Sequence, residues 1–564
     1  MRIRMSSLAL CVLAAAGPLA AADDVVMKAM RDELVRSTKQ LQLEKLEKPY
    51  FVAYRVTDSD GTGVSASFGA LEQSSQNRGR MLGVEVRVGS YQLDNSNFFS
   101  PNFNFSSIVS VFNGAAQLTV EDDYKELRRQ IWLATDATYK KAVEDISKKR
   151  AALENKNREG EPPDFSKEEP ATTTEEVPAV HIDRAKWEAM ARSLSALFRQ
   201  MPDVNTSGIS FNANNTYTRY VNSEGTSYTR RRASVSFNAR AATQAADGGQ
   251  LDDFVWLHGR ALADLPGETE LAAKVKDLGQ RLKELRAAAT LENYNGPVLA
   301  EGEAAAQLFR LHFVPDLLGR RSVISDMPGY QQNASQAENP FIDKIGARVL
   351  PEFLTVTDNP TLPEYQGREL GGWCRVDDDG IPTRQTTLVE KGILKTLLMS
   401  RDPVRGIEHS TGSRHLGQAS PTNIFVTAEN GLTQAELRAK FLDLVKQRNK
   451  EFGIVVRRMR NANSPVMAYK LFLDGHEELI RGVQFSGLNL SAFKEIVAAS
   501  KDQNILTVQY WPPRNNMAAF SPVDNGSMAV SLAVPSLLFE DVTVRKARGE
   551  IPNPPVTTHP FFSK

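Results

Sequence analysis

The stretch from Asp377 to Lys395 reads Asp-Asp-Asp-Gly-Ile-Pro-Thr-Arg-Gln-Thr-Thr-Leu-Val-Glu-Lys-Gly-Ile-Leu-Lys. Three aspartates followed by glycine and proline predict an acidic turn. A calcium-binding loop is the alternative, but the triplet lacks the glutamate found at the twelfth position of an EF-hand loop. After the turn, Leu388–Leu398 is rich in apolar residues and predicts a strand. This stretch therefore indicates β structure around a charged turn.

The same β-rich sequence pattern extends on both sides of this stretch, from about residue 292 to residue 564. Strand-like segments alternate there with turns rich in Gly, Pro and Asp. The further predicted strands are Thr422–Val426, Tyr469–Leu473, Ile505–Tyr510 and Ala529–Leu538. Only Gln434–Glu451 and Leu490–Ala499 have plainly helical patterns. These observations predict a β-rich C-terminal domain over residues 292–564.

Residues 23–291 have a different sequence pattern, in which long amphipathic segments separate strand-like segments. This pattern predicts a mixed α/β domain with long helices on a sheet. The predicted helices are Val25–Leu46, Asp122–Leu153, Asp183–Gln200 and Glu268–Leu291. Hairpin turns are expected at Ser59-Asp60-Gly61 and at Asn222–Gly225. Taken with the C-terminal half, the predicted fold class is α+β.

Two charged segments of the N-terminal half need an interpretation. Residues 154–177 are dense in Lys, Glu, Pro and Thr, with almost nothing to bury, which predicts a solvated linker or insertion. Arg230-Arg231-Arg232 lies on a predicted strand, and we interpret it as surface charge rather than a phosphate-binding patch. The whole chain has 68 basic and 68 acidic residues. That balance produces no field that would draw the protein to nucleic acid or to an anionic membrane.

The first 22 residues have the order of a secretory signal peptide. Two arginines precede the apolar run Leu8–Ala16, and small residues come after it. The run is shorter than the ~20 residues that span a bilayer, and Pro18 lies just beyond its end. We therefore expect a periplasmic or secreted protein with no membrane attachment after cleavage. Cys11 would leave with the signal, and the single remaining Cys374 excludes an internal disulfide or a multi-cysteine zinc site.

A series of C-terminal motifs resembles a known family. Residues 377–383 and 387–395 resemble the DDEG-x-PT … L-x-E-x-G-x-L block of the TldD/PmbA family, peptidase family U62, also called modulators of DNA gyrase. Further matches occur in the family's order at Ser410–Gly412, Pro421–Asn423, Asp474–Gly475, Arg481–Val483, Ser486–Leu488 and Pro535–Leu538. The resemblance implies a two-domain fold and a heterodimer of TldD with its paralogue PmbA, or TldE. It also implies that TldD-type chains carry zinc on an HExxxH helix with a downstream cysteine, whereas PmbA-type chains lack that motif.

The zinc motif of the family is missing from this chain. Gly302–Ala305 resembles the family's lead-in to the metal helix and sets the register. On that register Arg310, Leu311 and Pro315 stand at the positions of the first histidine, the glutamate and the second histidine. A charged guanidinium does not bind zinc, leucine accepts no proton and proline disrupts a helix. The downstream cysteine is absent from residues 509–528 as well. We therefore expect no catalytic residue, no metal ligand and no cofactor.

The remaining histidines and the cysteine offer no replacement site. His312 is expected in the core or at an interface. His409 and His415 are six residues apart in a loop, a spacing that does not by itself bring both to one metal. His476 is expected at a solvated hairpin tip. Cys374 has no evident histidine partner, so a simple buried thiol is favoured over a nucleophile.

The expected function is that of a non-catalytic subunit, a pseudoenzyme of the TldE type. It would pair with a zinc-bearing TldD-like chain and present unfolded or extended peptide for proteolysis or processing. Sheet edges suit that role because they bind a peptide main chain by strand addition. Two alternatives remain open. One is an active metallopeptidase with non-standard ligands, and the other is a stand-alone periplasmic protein that binds a peptide or another ligand.

Overall fold

The structure is a computed structural model that describes residues 24–99, 115–154, 160–326, 339–510, 528–547, 555 and 559–562. The predicted signal peptide lies outside these residues. Strands outweigh helices and the two are mixed, which confirms the α+β class. The helices in the described ranges are α1 Val25–Gln40, α2 Tyr124–Leu153, α3 Arg184–Ala196, α4 Glu268–Ala287, α5 Glu303–His312, α6 Gln434–Gln447 and α7 Leu490–Lys494. None of them combines the length and the apolar character of a membrane span.

The N-terminal sheet has the strand order β4-β2-β1-β6-β7-β5, and β8 also pairs with β7. Neighbouring strands of this sheet are antiparallel, except that β5 runs parallel to β7. The strands are β1 Pro49–Ser67, β2 Ala70–Val88, β4 Ala115–Gln117, β5 Thr172–Glu175, β6 Thr206–Asn222, β7 Ser227–Gln244 and β8 Gln250–Gly259. A separate short pair joins β3 Phe98–Phe99 to β11 Ile324–Ser325.

One face of this sheet is covered by all four N-terminal helices. Side chains alternate between the faces of a strand, so Tyr54 and Val64 of β1 point to the same side. Tyr54 packs beneath α1 and α2, whereas Val64 packs beneath α3 and α4. On the other face, Phe51 packs with Val376 of the C-terminal half. The helices thus cover one side of the sheet and leave the other for contact with the rest of the chain.

The first hairpin turns later than the sequence indicates. Ser59-Asp60-Gly61 is not a turn but continues β1, where it pairs with residues 77–79 of β2 and 214–216 of β6. The chain reverses at Phe68 and Gly69, which both have positive φ values of 45° and 79°. The outer part of β1 is only half-buried and lacks the apolar alternation that marks a strand in sequence. Pairing on both sides holds it in the sheet nevertheless.

The segment over residues 154–177, predicted to be a solvated linker or insertion, is mostly exposed or half-buried in the part that is described, but it contains buried anchors. Phe165 is buried, with the guanidinium carbons of Arg87 and Arg401 at 3.6 and 3.9 Å from its ring centre. Asp164 accepts a hydrogen bond of 2.6 Å from Lys149 Nζ, and both side chains are fully buried. The segment then forms β5 of the sheet. One aromatic anchor and paired charges compensate for a composition that otherwise favours disorder.

The C-terminal sheet has the order β16-β15-β12-β19-β25-β10-β20-β21-β22-β9, with β23 and β24 also paired to β25. Its strands are β9 Ala289–Thr290, β10 Asn293–Ala300, β12 Leu354–Asp358, β15 Thr386–Glu390, β16 Ile393–Leu394, β19 Asn423–Ala428, β20 Phe452–Met459, β21 Pro465–Phe472, β22 Glu477–Arg481, β23 Val483–Ser486, β24 Ile496–Tyr510 and β25 Met528–Lys546. Two small hairpins pair β13 Glu364–Tyr365 with β14 Arg368–Glu369, and β17 Arg414–His415 with β18 Gln418–Ala419.

Helices α5 and α6 pack on opposite faces of this sheet. Val298 of β10 belongs to the core beneath α5, and its neighbour Leu299 belongs to the core beneath α6. The predicted helix over 490–499 is wrong in its second half, because α7 ends at Lys494 and β24 begins at Ile496. There Ile496 pairs with Phe539 of β25. Long-range pairing with the central strand overrides the local helical pattern.

Candidate functional site

Helix α5 turns one face toward a cavity of about 370 Å³ between the two sheets, which we call the α5 cleft. Glu303, Gln307, Arg310 and Leu311 recur at helical spacing and line it. The opposite face of α5 is buried through Ala304–Ala306 and packs on β20 and β25. The helix begins directly after Gly302, at the position that the sequence register indicates.

The residues at the expected zinc positions do not fit zinc. Arg310 and Leu311 face the α5 cleft, whereas Pro315 lies beyond the helix in the 3-10 turn Val314–Leu317. Burial lowers the pKa of Arg310, but a guanidinium still carries only N–H donors near neutral pH and offers no lone pair to a metal. Within the described ranges, no group of three or more His, Cys, Asp or Glu side chains is arranged to hold a metal ion. Arg310, Leu311 and Pro315 therefore provide no zinc ligand and no general base that could activate a zinc-bound water.

The walls of the α5 cleft include two strand edges. Phe254–Leu257 of β8 and Leu506–Gln509 of β24 each line it with four consecutive residues. Because strand side chains alternate between faces, consecutive residues line a cavity when the strand turns its backbone edge toward it. Among the described strands, β8 pairs only with β7 and β24 only with β25. The carbonyl of Phe254 accepts a 3.2 Å hydrogen bond from Arg458 Nη1, and the other main-chain groups of the facing edges stay available for hydrogen bonding.

A buried carboxylate ties the two sides of the α5 cleft together. Asp253 of β8 accepts a 2.6 Å hydrogen bond from Arg281 Nε of α4 and a 3.2 Å hydrogen bond from Arg458 Nη1 of β20. Arg458 Nε also donates to Glu303 at the start of α5, at 3.2 Å. One N-terminal strand, one C-terminal strand and α5 thus share a single ion-pair network. That network joins the walls of the cleft to each other.

A second cavity of about 360 Å³ continues the α5 cleft, since Trp256 and Gln509 line both. We call the two cavities together the groove. The second cavity lies over the open face of the N-terminal sheet, where β6 and β7 present asparagine, serine and threonine side chains. Gly371 and Gly372 close it from the C-terminal side. A Cβ atom at Gly372 would lie 2.3 Å from the Thr422 backbone, so the chain passes there because glycine has no side chain.

The acidic turn Asp377–Asp379 is buried rather than solvated. Asp378 Oδ1 accepts a 2.6 Å hydrogen bond from Arg230 Nη2 of β7, across the boundary between the two sheets. Burial alone would raise the pKa of Asp378, but the charges of Arg230 and Arg55 lower it well below its usual range. The interpretation of residues 230–232 as surface charge is therefore wrong for Arg230, which is buried at this contact.

Cys374 has a histidine partner that the sequence did not reveal. Its Sγ atom lies 3.9 Å from Nε2 of His415, and both side chains are buried. Burial raises the pKa of Cys374 to about 12 and lowers the pKa of His415 to about 3. Both groups are therefore neutral near pH 7, and neither a thiolate nor an imidazolium forms. The pair packs in the interior without forming a nucleophile.

The other histidines are not brought together. His312 is half-buried, and its Nε2–H donates to the carbonyl of Ala462 at 2.7 Å. His409 is 70% exposed, whereas His415 is 2% exposed, so the two do not face one site. His476 is exposed in the turn between β21 and β22. None of these four side chains lines the groove, whereas His258 of β8 lines its second cavity.

Three comparisons relate this chain to known proteins. The family model described as the PmbA/TldA metallopeptidase C-terminal domain matches residues 294–546. Metalloprotease MJ0996 of Methanocaldococcus jannaschii is 34% identical over 97 residues, which are 17% of this chain and 20% of that protein. Metalloprotease PmbA of Escherichia coli O157:H7 is 25% identical over 234 residues, which are 41% of this chain and 45% of that protein. The matched stretches thus span less than half the length of these relatives.

The fold is similar along nearly the whole chain to a solved structure. TldE from Thermococcus kodakarensis superposes with a TM-score of 0.57 at 15% sequence identity. The superposition covers 92% of this chain and 99% of that chain. At this identity the likeness concerns the fold.

Proposed function

Because this chain carries the C-terminal domain of the PmbA/TldD metallopeptidase family, we propose that it is a non-catalytic subunit of a peptide-processing complex. It holds extended peptide in the groove, and a zinc-bearing TldD-like partner performs the cleavage. One observation carries this proposal. Helix α5 keeps its place on a formed cleft, yet it presents Arg310 and Leu311 where the family's register requires a zinc ligand and a general base.

An extended peptide is the ligand best suited to the groove. The facing edges of β8 and β24 offer main-chain donors and acceptors, which pair with any extended main chain irrespective of its side chains. Asn238, Thr507 and Gln509 add polar side chains to the lining of the α5 cleft. Recognition of this kind favours unfolded clients, because folded proteins have already used most of their main-chain groups.

The family resemblance of the C-terminal motifs supports the pairing with a catalytic partner. PmbA of E. coli is named a metalloprotease, and the fold resembles that of TldE along nearly the whole chain. The resemblance implies that a TldE-type chain forms a heterodimer with a zinc-bearing TldD chain. We therefore propose a heterodimer in which this chain shapes or extends the substrate path and the partner contributes the metal.

We further propose that the complex works outside the cytoplasm. The basis is the order of charge, apolar run and small residues over positions 1–22. Fractionation of the native host would test this location, with the protein expected in the periplasmic or secreted fraction and a mature N-terminus near residue 23. Recovery of the uncleaved chain in the cytoplasm would contradict the proposed export.

A stand-alone binding protein is the second candidate. Both halves of this chain contribute residues to the groove, and its two cavities of about 360 and 370 Å³ could hold a ligand. Under this alternative, the purified chain would retain a peptide or another ligand with no second protein attached. Denaturing the purified chain would release such a ligand, and mass spectrometry of the released material would detect it.

Co-purification from the native host tests the pairing directly. The full chain would be tagged at its C-terminus, expressed at its native level and recovered after mild cross-linking. We expect one TldD-like chain with an intact HExxxH motif to be recovered in an amount comparable with the bait. An unrelated exported protein with the same tag is the control. Recovery of this chain only as a monomer or homodimer would contradict the proposed complex.

A further inference from the structure

Arg310 differs from the other cations of the α5 cleft in having no acidic partner among the described residues. Arg458 and Arg281 share Asp253, Arg460 lies 3.0 Å from Asp252, and Lys274 lies 3.4 Å from Glu270. Arg310 forms no ion pair in the part of the chain that the structure describes, and its Nε atom is buried without a hydrogen-bond partner there.

Such an arginine is unfavourable in the chain by itself. The side chain is half-buried, and its Nε–H has lost water without gaining an acceptor, so part of the hydration free energy of the guanidinium is lost. The neighbouring side chains do not supply the missing acceptor. Leu311 is apolar, and the amide oxygen of Gln307 is already bound to the N–H of Met459 at 2.6 Å. The buried hydroxyl of Tyr510 is also near Arg310 but forms no hydrogen bond with it. The cleft thus contains a cation whose counterion the described residues do not provide.

We propose that Arg310 binds a carboxylate of the peptide held in the groove, and so anchors acidic or carboxy-terminal ends of the substrate. This inference rests on the proposed peptide-holding function and adds the chemical group that the cleft selects. The guanidinium presents parallel N–H donors that match the two oxygens of a carboxylate, and such paired, charge-assisted bonds are stronger than neutral ones. The arginine therefore converts the family's metal position into an anion position.

The placement of Arg310 relative to the strand edges makes the selection directional. Arg310 lies on α5, while Leu506–Gln509 of β24 and Phe254–Leu257 of β8 line the same cleft. A peptide added to either edge has its main chain bound along the strand. One carboxylate at Arg310 would then set which part of the peptide lies in the cleft, because strand addition alone does not fix the register.

Binding of matched peptides to the purified full chain tests this inference. The probe is a short extended peptide of serine, threonine, valine and asparagine with a neutral fluorophore at its N-terminus. It would be made with a free C-terminal carboxylate, with a C-terminal amide, and with a C-terminal amide plus one internal aspartate. Fluorescence anisotropy would measure each affinity. We expect the carboxylate form to bind at least about tenfold more tightly than the amide form, which is about 1.4 kcal/mol.

Two variants identify the residue responsible. Arg310→Gln should reduce the ratio of the two affinities to about one, because the carboxylate form loses its charged donors, and Arg310→Lys should give an intermediate ratio because it loses the paired geometry. Lys276→Gln removes the same charge from the exposed side of α4, and it should keep the wild-type ratio. Tighter binding of the aspartate peptide as well would extend the selection from chain ends to acidic side chains.

The outcomes separate this inference from the function on which it rests. If the wild-type chain binds all three peptides with equal affinity, the carboxylate site is rejected and the peptide-holding function stands. If Lys276→Gln loses the preference as fully as Arg310→Gln, long-range charge explains the effect and the site is again rejected. If no peptide binds in any form, both the site and the peptide-holding function are rejected.

Discussion

His415 and Cys374 lie side by side in the interior, where loss of hydration disfavours the charged form of each. Nearby, Asp378 is equally buried but stays ionised, because Arg230 donates to it at 2.6 Å. The difference arises from pairing. A buried group keeps its charge when a close opposite charge offsets the lost hydration, and otherwise it becomes neutral. The boundary between the two sheets contains both cases.

The titration of His415 predicts a pH-dependent stability. Burial lowers its pKa to about 3 in the folded chain, against about 6.5 in the unfolded chain. Between these values the unfolded chain binds a proton that the folded chain does not, so stability falls as the pH decreases from about 6.5 toward about 3. Urea unfolding at several pH values should show a steeper loss for the wild type than for His415→Gln. Parallel curves for the two proteins would contradict a buried neutral histidine.

The sequence predicts part of the candidate site at this scale. The register from Gly302 correctly indicates a helix that starts there, and Arg310 and Leu311 face the cleft as a metal-bearing helix would require. The contact between Cys374 and His415 was missed because 41 residues separate them and only the folded chain brings them together. The burial of Arg230 was missed for the same reason, since its partner lies 148 residues away.

The segment 160–175 connects the two halves of the chain through few buried side chains. It has a single aromatic anchor, Phe165, and the guanidinium groups of Arg87 and Arg401 lie over its ring. Its backbone also bonds to the C-terminal half, since Ser166 N donates to the carbonyl of Arg401 at 2.9 Å. Composition alone indicated a solvated connection. Pairing between distant charges, which no local window of sequence contains, makes the segment part of the fold.

Removal of the Phe165 ring tests this element. Phe165→Ala should lower the free energy of unfolding by about 3–5 kcal/mol, because it leaves a cavity in a buried cluster. Lys167→Ala, two residues away and exposed, is the matched control and should stay within about 0.5 kcal/mol of the wild type. Urea denaturation would measure both. Equal stability of the two variants would mean that the segment is a solvated linker after all.

The turn of the first hairpin gives a second test at this scale. Gly69 has a φ of +79°, and a Cβ atom there would lie 2.9 Å from the Arg199 guanidinium. Gly69→Ala should therefore destabilise the protein by about 1 kcal/mol or more. Gly61, the expected turn position, has 3.6 Å to the nearest atom and a strand conformation, so Gly61→Ala should change stability by less than about 0.5 kcal/mol. Thermal unfolding showing the reverse order would place the turn at Gly61.

Element boundaries were harder to predict than element types. Most helices were predicted at nearly their observed positions, because their apolar faces recur locally along the chain. Strands β10 and β20 were not predicted, and β10 contains Pro297 within an irregular register against β25. The second half of the predicted helix over 490–499 became strand through its contact with β25. Strand identity depends on distant partners, which the sequence does not display.

For the whole molecule, the groove lies where the edge of β8 and the open face of the N-terminal sheet meet the C-terminal half. The strand β8 brings its edge and Asp253 from the N-terminal sheet, and the C-terminal sheet brings β24, Arg458 and α5. The register set by Gly302 indicates that Arg310 and Leu311 replace the zinc ligand and the general base of the family. The strands that line the cleft beside them, β8 and β24, lie far apart in the sequence and are brought together only by the fold.

Zinc content and hydrolytic activity of the purified full chain test the central claim most directly. The chain would be expressed with zinc in the medium, purified without chelator and analysed by inductively coupled plasma mass spectrometry beside an unfolded protein substrate assay. The proposed non-catalytic subunit predicts far less than stoichiometric zinc and no chelator-sensitive hydrolysis by the chain alone. Stoichiometric zinc together with hydrolysis that a chelator abolishes would contradict it, and would make the chain an active metallopeptidase with non-standard ligands.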